Sequence, residues 1–258
     1  MSRGRVWIDA LAGTRAMPLP DGPASVVLAD APLGAGTARY VAVVPNPASR
    51  AHRARNGEMG IDEGYGLAAA IDTTPPGSAL VAIVDVPGQA FGAREEADAL
   101  QRSLAAAVSA YVAARERGPV LALVVGRAIS GAFLAHGLQA SWLGALRDPG
   151  VEVHVMSAPS VARVTRSSAE EVARIARIVP ATARDVETFA SFGALDALLD
   201  VTDADAPGDA DVARVRDVLA RAAADPSLAG RRPVDRLARG GGTRTLSRAV
   251  RVRLERDW

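Results

Sequence analysis

The sequence contains no cysteine. It also contains no lysine, because all 30 of its basic residues are arginine. Without a thiol, the chain forms no disulfide and offers no thiolate nucleophile and no cysteine-based zinc site. Without an ε-amine, it offers no Schiff base, no catalytic lysine and no Walker lysine of a P-loop. These two absences exclude many enzyme classes and direct attention to backbone amides and to the few remaining reactive side chains.

Histidine and long apolar runs are also scarce. His52, His136 and His154 lie far apart, and none forms the i, i+4 pair of a helical metal site, so we expect no metal. No run of about 18 apolar residues is free of charge, and the first residues lack the apolar core of a signal peptide. The net charge of +1 argues against a general nucleic-acid surface. We therefore expect a cytoplasmic protein that binds neither membrane nor nucleic acid.

Apolar runs alternate with amphipathic stretches along the 258 residues. Valine-rich runs bounded by Gly and Pro predict strands at residues 25–31, 38–45, 77–86, 120–126 and 151–156. Helical periodicity predicts helices at residues 62–72, 93–117, 131–146, from 167 or 168 onward, 182–192 and 209–224, the first capped by Asp62. The first two strands read as a hairpin, and the later strand, helix, strand order predicts parallel pairing. The pattern predicts an α/β fold.

Composition divides the chain into three expected segments. Residues 1–200 are predicted to form the main domain, and residues 201–238 an acidic connector followed by a C-terminal helix. Residues 239–258 are rich in Arg and Gly, and we expect this tail to be partly flexible.

The turn after the fourth predicted strand is the first candidate site. Between Val124 and Gly137 an apolar run breaks at Ser130 and Gly131 and resumes as a helix. The first N–H groups of a helix have no intrahelical acceptor and carry partial positive charge, and glycine lets a ligand approach the backbone. The turn can therefore bind a developing oxyanion. In the alternative interpretation, Ser130 only caps the helix and Gly131 only permits close packing.

A second glycine-rich loop, from Pro87 to Gly92, follows the strand at residues 77–86. Parallel strands bring such loops to one edge of a sheet, where ligands bind. The order and spacing of the two loops resemble the carboxyltransferase branch of the crotonase superfamily. The residues that carry the resemblance are Val84, Asp85, Pro87, Gly88, Gly92 and Glu96, then Gly131, Ala132 and Phe133, then Val153, Val155 and Met156. The resemblance covers residues 38–162 and implies a crotonase-like (ClpP/crotonase) stacked-sheet core with surrounding helices.

Two residues depart from the pattern of this branch, and they indicate which of its members the sequence resembles. Ser130 stands where the branch usually has the first glycine of the oxyanion pair, and Leu134 stands where biotin-dependent relatives carry an aspartate. The length and the stretch "ISGAFLAHGLQA" are similar to the γ subunits of biotin-independent malonate decarboxylases, which look like the second half of a carboxyltransferase. The resemblance implies a β subunit that completes the site, and a malonyl thioester on the phosphopantetheine-type group of an acyl carrier subunit. It also implies an acyl-transferase subunit and no biotin.

The implied reaction loses carbon dioxide from a malonyl thioester and needs a stabilised enolate oxygen, for which backbone donors suffice. The candidate catalytic residues are Ser130, Gly131, Ala132 and His136. Gly131 and Ala132 supply amides, whereas His136 either protonates the carbanion or is a packed or interface histidine. The candidate substrate-binding residues are Gly88, Gln89 and Gly92.

Three other functions remain open. A free-standing hydratase or isomerase of the crotonase type needs a carboxylate near the turns, and Glu95 and Glu96 are the nearest, although both are explained as helix-dipole partners. A non-catalytic assembly subunit agrees with Ser130 in place of glycine. A biotin-using transcarboxylase half is disfavoured by Leu134.

Overall fold

The computed structural model describes residues 1–239 and 242–258, so Gly240 and Gly241 of the predicted tail lie outside the described residues. The strands are β1 (Met17–Pro18), β2 (Val26–Leu33), β3 (Gly36–Val43), β4 (Ala79–Val86), β5 (Val120–Ile129), β6 (Trp142–Leu146), β7 (Glu152–His154) and β8 (Ala197–Leu199). The helices are α1 (Arg3–Ala12), α2 (Ile61–Asp72), α3 (Ala93–Ala97), α4 (Leu100–Arg117), α5 (Ser130–Ala135), α6 (Ala158–Thr165), α7 (Ala169–Ile178), α8 (Val186–Ser191), α9 (Asp209–Ala223) and α10 (Thr245–Asp257).

The strands form one mixed sheet in the order β1-β2-β3-β4-β5-β6-β8, with β7 also pairing with β5. β2 and β3 form the predicted antiparallel hairpin, and all pairings from β3 onward are parallel, as predicted. β5 forks, because Leu121–Val124 pair with β6 whereas Arg127–Ile129 pair with β7. This fork opens the sheet at the carboxyl end of β5, where the candidate turn begins.

The core lies around β4 and β5. Every residue of β4 is buried, which explains its unbroken apolar run. Helix α1 was not predicted, because its stripe of Trp7, Ile8 and Leu11 is short and set among charges. Trp7 is fully buried, and its Nε1–H donates to the carbonyl of Ala204 at 2.9 Å. This bond ties the first helix to the acidic connector that precedes α9.

The helix predicted at residues 93–117 is wrong in one respect, because it is interrupted. α3 ends at Ala97, and Ala99 adopts the left-handed conformation with φ of 65° before α4 begins. α3 has no buried residue, whereas Leu100 at the start of α4 is buried. The break separates a surface turn from the helix that packs on α2, and alanine periodicity alone does not reveal it.

The helix predicted at residues 131–146 is also wrong, because α5 ends at Ala135 and β6 occupies Trp142–Leu146. Gly137 has φ of 108°, and a Cβ there would lie 2.5 Å from Val84 Cγ2. The chain therefore turns sharply against β4 and returns to the sheet. All five residues of β6 are buried between β5 and β8, a neighbourhood that the local sequence does not disclose.

Other boundaries differ by smaller amounts. Gly60, not Asp62, caps α2, and Glu63 accepts a hydrogen bond from the Gly60 amide at 2.9 Å. The strand predicted at residues 151–156 is only three residues long, and α6 after it was not predicted. Of Ser167 and Ser168, the two residues expected to cap the next helix, Ser168 is the cap, because its hydroxyl accepts from the amide of Glu171. α8 covers the second half of the helix predicted at residues 182–192, and α9 matches its prediction within one residue.

Candidate active site

The two glycine-rich loops meet at the carboxyl ends of β4 and β5. The strands are parallel neighbours, and their register shifts between Val84 and Val86, so that Val86 pairs with Ala128. The Gly131 amide donates a hydrogen bond to Gln89 Oε1 at 3.0 Å. The structure thus brings one candidate backbone donor into direct contact with one candidate substrate-binding side chain.

Ser130 holds the turn in an unusual backbone conformation. Its φ is 62°, in the left-handed region that favours glycine, whereas Ile129 before it is extended. Such a conformation costs on the order of 1–3 kcal/mol in a residue other than glycine and is found most often at functional sites. It turns the chain so that the Gly131 amide points across at the neighbouring loop, while Ala132 is fully buried beneath it.

Backbone hydrogen bonds with Met59 hold the loop that follows β4. The Met59 amide donates to the Gly88 carbonyl at 3.0 Å, and the Ala90 amide donates to the Met59 carbonyl at 2.7 Å. Gly88 itself has φ of 138°, which a side chain would disfavour. These bonds place Gln89 above the loop, where its side chain is half-buried and reaches Gly131. Gly92 lies further along and caps α3.

Asp85 supports the same edge from inside the fold. Its side chain is buried, and its carboxylate accepts from the amides of Gly4 at 3.2 Å and Arg127 at 3.1 Å. A Cβ on Gly126 would lie 2.3 Å from Asp85 Oδ1, so glycine is required there. Asp85 therefore connects α1 to the end of β5. Its carboxylate supports the turn and does not face substrate.

An open cleft of about 210 Å³ lies between the two loops. The residues that line it are Arg53, Glu58, Pro87, Gly88, Gln89, Phe91, Ile129, Ser130, Val155, Met156, Ser157, Ser160, Arg163 and Val164. Arg53 is paired with Glu58 through two hydrogen bonds of 2.5 and 2.6 Å, and this pairing raises the Arg53 pKa. Arg163 also lines the cleft and adds a second guanidinium beside the Arg53–Glu58 pair.

An apolar pocket of about 380 Å³ lies on the other side of the turn. It is lined by Ser130, Gly131, Phe133, Leu134, Leu138, Val153, His154, Val155, Ala181, Ala183, Phe189 and Phe192. Large apolar side chains around both cavities are exposed, namely Phe91, Leu134, Val155 and Val164. Apolar surface of this extent around a cleft is typical of a protein interface.

His136 lies outside both cavities and is fully buried behind α5. Its Nδ1 is 2.9 Å from the Tyr111 hydroxyl, and its Nε2 is 3.0 Å from the Ile83 carbonyl. Burial lowers the pKa of His136 to about 4 and raises the pKa of Tyr111. A neutral imidazole with both ring nitrogens engaged favours the packed-histidine interpretation, and its role as a proton donor stays a prediction.

The carboxylates considered for a hydratase lie apart from the turn. Glu95 lines a separate surface pocket with Arg50 and Arg94, and no residue of α3, including Glu96, is buried. Glu58 and Arg163 were not predicted as residues of the cleft. Nothing in the local sequence pattern relates the loop before α2, or helix α6, to the ends of β4 and β5.

Among residues 1–239 and 242–258, no group of three or more His, Asp or Glu side chains is arranged to hold a metal ion. None of the helices in those residues is long and apolar enough to cross a membrane.

The fold and the position of the turn define a carboxyltransferase-type protein of the crotonase class, as predicted. The 12S subunit of a transcarboxylase has this fold, with a TM-score of 0.63 and 23% identity over 86% of this chain and 39% of that one. The sequence profile of the malonate decarboxylase gamma subunit family matches residues 54–258, and the chain belongs to this family. The resemblance read from the two loops is therefore confirmed.

Solved structures of relatives match the chain along its whole length. A Pseudomonas malonate decarboxylase hetero-tetramer in complex with coenzyme A contains a chain with 46% identity and a TM-score of 0.90, covering 100% of both chains. The Pseudomonas MdcD-MdcE hetero-dimer contains one with 45% identity and a TM-score of 0.87, again over 100% of both.

A curated relative matches a smaller part of the chain. The malonyl-S-ACP:biotin-protein carboxyltransferase MADD of Malonomonas rubra is 34% identical over 158 residues, which is 57% of this chain and 54% of that protein. The chain thus spans about half the length of this relative.

Proposed function

We propose that this chain and a β-type partner subunit together form a site that decarboxylates a malonyl thioester presented by an acyl carrier subunit. Membership of the gamma subunit family supports this proposal. So do the relatives: the Pseudomonas chains were solved in hetero-oligomers, one of them with malonate, and the Malonomonas protein is named for malonyl-S-ACP. We further propose a cytoplasmic location and an acyl-transferase subunit in the assembly.

The observation that carries the proposal is the hydrogen bond from the Gly131 amide to Gln89, at a turn that lies between an open cleft and an apolar pocket, both with a rim of exposed apolar side chains. The amide donates to Gln89 Oε1, and Gln89 and Ser130 both line the cleft, while Gly131 itself lines the apolar pocket on the other side of the turn. The rim leaves Leu134 and Val155 exposed beside the turn. A catalytic donor needs a water-excluding surrounding to act strongly, and a partner that covers the rim supplies it.

The chemistry follows from where the electrons go. When the bond between the carboxylate carbon and Cα breaks, carbon dioxide leaves and the bonding pair delocalises onto the thioester oxygen as an enolate; Cα then takes a proton. One preorganised donor to that oxygen contributes on the order of 3 kcal/mol to the transition state. We propose the amides of Gly131 and Ala132 as donors to the thioester or to the departing carboxylate, with Ser130 setting their direction and Gly88 and Gly92 on the substrate side. Gln89 belongs to the same side, and we propose that its side chain holds the Gly131 amide until substrate displaces it.

His136 then supports the site from behind. It joins Tyr111 of α4 and Ile83 of β4 to the end of α5, whose Ala132 carbonyl accepts from the His136 amide at 2.8 Å. This position keeps α5, and with it the turn, fixed against the core.

A second candidate function is transfer of the carboxyl group to a biotin protein. The name of the Malonomonas relative favours it. Leu134 argues against it, because biotin-dependent relatives carry an aspartate at this position. We therefore propose that no biotin takes part.

The test is reconstitution. Carbon dioxide release from a malonyl-loaded carrier is measured for this chain alone, the β-type partner alone and the pair, each with and without avidin. The proposal expects release by the pair only and no effect of avidin. Avidin-sensitive release would support the transcarboxylase alternative, and a pair that assembles without releasing carbon dioxide would support an assembly subunit.

A further inference from the structure

The apolar pocket beside the turn contains an imidazole that the proposed function does not use. His154 is the last residue of β7, and it pairs with Ile129, the residue before Ser130, where β7 lies parallel to β5. Its side chain is partly buried and lines the same pocket as Ser130 and Gly131. The fork of β5 therefore places an imidazole next to the turn that carries the proposed oxyanion donors.

The rest of the pocket wall is almost entirely hydrocarbon. Among the described residues that line it, His154 alone has a side chain that exchanges a proton near neutral pH. The other lining residues have aliphatic or aromatic hydrocarbon side chains, apart from Gly131 and the Ser130 hydroxyl. Such a wall excludes water once a partner covers the rim, so a proton that is needed inside the pocket then comes from the protein.

The backbone of Met156 orients the His154 ring. The ring Nδ1 lies 3.0 Å from the Met156 carbonyl oxygen and 3.1 Å from the Met156 amide nitrogen. When Nδ1 carries a proton, it donates to this carbonyl, and Nε2 is then the atom that gains or loses a proton. The protonated ring and the neutral ring with hydrogen on Nδ1 both make this bond. Nε2 can therefore change its protonation state while the ring keeps its position.

The surroundings of His154 act on its charge in opposite directions. Burial, the largest cause, and Arg184 in the loop before α8 lower the His154 pKa, whereas the Met156 carbonyl and Glu152 of β7 raise it. The free ring is therefore mostly neutral near neutral pH, which is the form of a base. A malonyl carboxylate or an enolate adds a negative charge beside the ring and favours its protonated form, which is an acid.

We propose that His154 is a catalytic residue that transfers a proton between its Nε2 and Cα of the acyl group. The inference rests on the proposed function, because it uses the enolate that loss of carbon dioxide leaves. The electron pair of the enolate forms a Cα–H bond with the Nε2 proton, the imidazolium becomes a neutral imidazole, and water returns a proton to it before the next turnover. In the reverse direction, the neutral ring removes a proton from the methyl group of the acetyl thioester.

The reverse step gives a test that is separate from carbon dioxide release. The assembled pair is incubated with acetyl-loaded carrier in deuterium oxide, the acetyl group is hydrolysed to acetate, and its deuterium content is measured by mass spectrometry. His154→Asn keeps a polar atom near the position of Nδ1 and removes Nε2. His52→Asn, at an exposed position that lines neither cavity, is the matched control. His154→Ala is assayed with and without added imidazole.

The proposal expects His154→Asn to slow deuterium exchange about a hundredfold or more, and His52→Asn to leave it unchanged. Added imidazole should restore part of the rate in His154→Ala. A His154→Asn pair that assembles and exchanges at the unmodified rate would overturn the proposal. So would an unmodified pair that releases carbon dioxide without catalysing exchange.

Carrier binding and carbon dioxide release separate the remaining outcomes. Binding of the acetyl-loaded carrier is measured by calorimetry for each pair. If His154→Asn loses carrier binding together with exchange, His154 only maintains the shape of the pocket, and the proposal is wrong. Exchange that depends on His154 in a pair that releases no carbon dioxide would support the role of His154 and contradict the proposed function.

Discussion

The hydrogen bond between Gln89 and Gly131 leads to a prediction about substrate affinity. A substrate oxygen that accepts from the Gly131 amide takes the place of Gln89 Oε1, which now lies 3.0 Å from that nitrogen. A bond of this kind contributes about 0.5–1.5 kcal/mol net. In Gln89→Ala the amide is freed, so the assembled pair should bind the malonyl thioester about two- to tenfold more tightly.

The acidic variant works in the opposite direction. In Gln89→Glu a carboxylate oxygen accepts the hydrogen bond from the Gly131 amide. This bond is charge-assisted and about twice as strong as a neutral one. Substrate must displace this bond and also meets a negative charge, so KM should rise above that of the unmodified pair.

The assay is the KM for the malonyl-loaded carrier, together with the affinity for the acetyl-loaded product. Gln101→Ala and Gln101→Glu, at an exposed position of α4, serve as matched controls. If Gln89→Ala weakens binding as much as Gln89→Glu does, Gln89 is a ligand or a strut and not a competitor, and the reasoning is refuted.

Two further predictions concern stability. Burial lowers the His136 pKa from 6.5 to about 4, so the unfolded chain binds a proton more readily between these values. The free energy of unfolding should therefore fall as pH drops from about 6.5 to about 4, by about 3 kcal/mol in all. Urea unfolding measures this slope, and an equal slope in His136→Gln would contradict the assignment. Ser130→Gly should raise the free energy of unfolding by up to about 1 kcal/mol, because glycine accepts the φ of 62° without strain. It should keep activity, since every amide remains, and a large loss would show that the hydroxyl takes part.

The sequence predicted those parts of the fold that depend on local pattern. The runs that became β4 and β5 are apolar on both faces, and their burial follows from that composition alone. The hairpin of β2 and β3 was predicted from two short runs separated by a glycine turn. α9 was predicted within one residue, because its amphipathic periodicity is long and uninterrupted.

The errors occur where tertiary contacts decide the local structure. Ala99 breaks a helix that alanine favours, and Leu100 is buried as a result. Gly137 turns the chain because Val84 leaves no room for a side chain, and a contact with a distant strand is not visible in a local window. β6 is a strand because β5 and β8 flank it.

The same distinction holds for the candidate site. The two loops were predicted to meet because parallel strands end at one edge, and Gly131 does contact Gln89. The orientation of His136 could not be predicted, since its partners Tyr111 and Ile83 lie on other elements. Arg163 was missed because it belongs to α6, a helix whose place beside the cleft depends on the fork of β5.

The central claim, that the Gly131 amide acts on the reacting oxygen, is tested most directly by comparing Gly131→Pro with Gly131→Ala in the assembled pair. Proline is tolerated in the first turn of a helix and removes the donor. Alanine keeps the donor and adds a Cβ about 3.3 Å from Gln89 Oε1, at the end of a side chain that can move. Assembly of each pair is first checked by size.

The measurement is the rate of carbon dioxide release from the malonyl-loaded carrier at saturation. The account predicts a loss of about a hundred- to a thousandfold for Gly131→Pro and a much smaller loss for Gly131→Ala. A correctly assembled Gly131→Pro pair that keeps the full rate would contradict the claim and place the chemistry on the partner subunit.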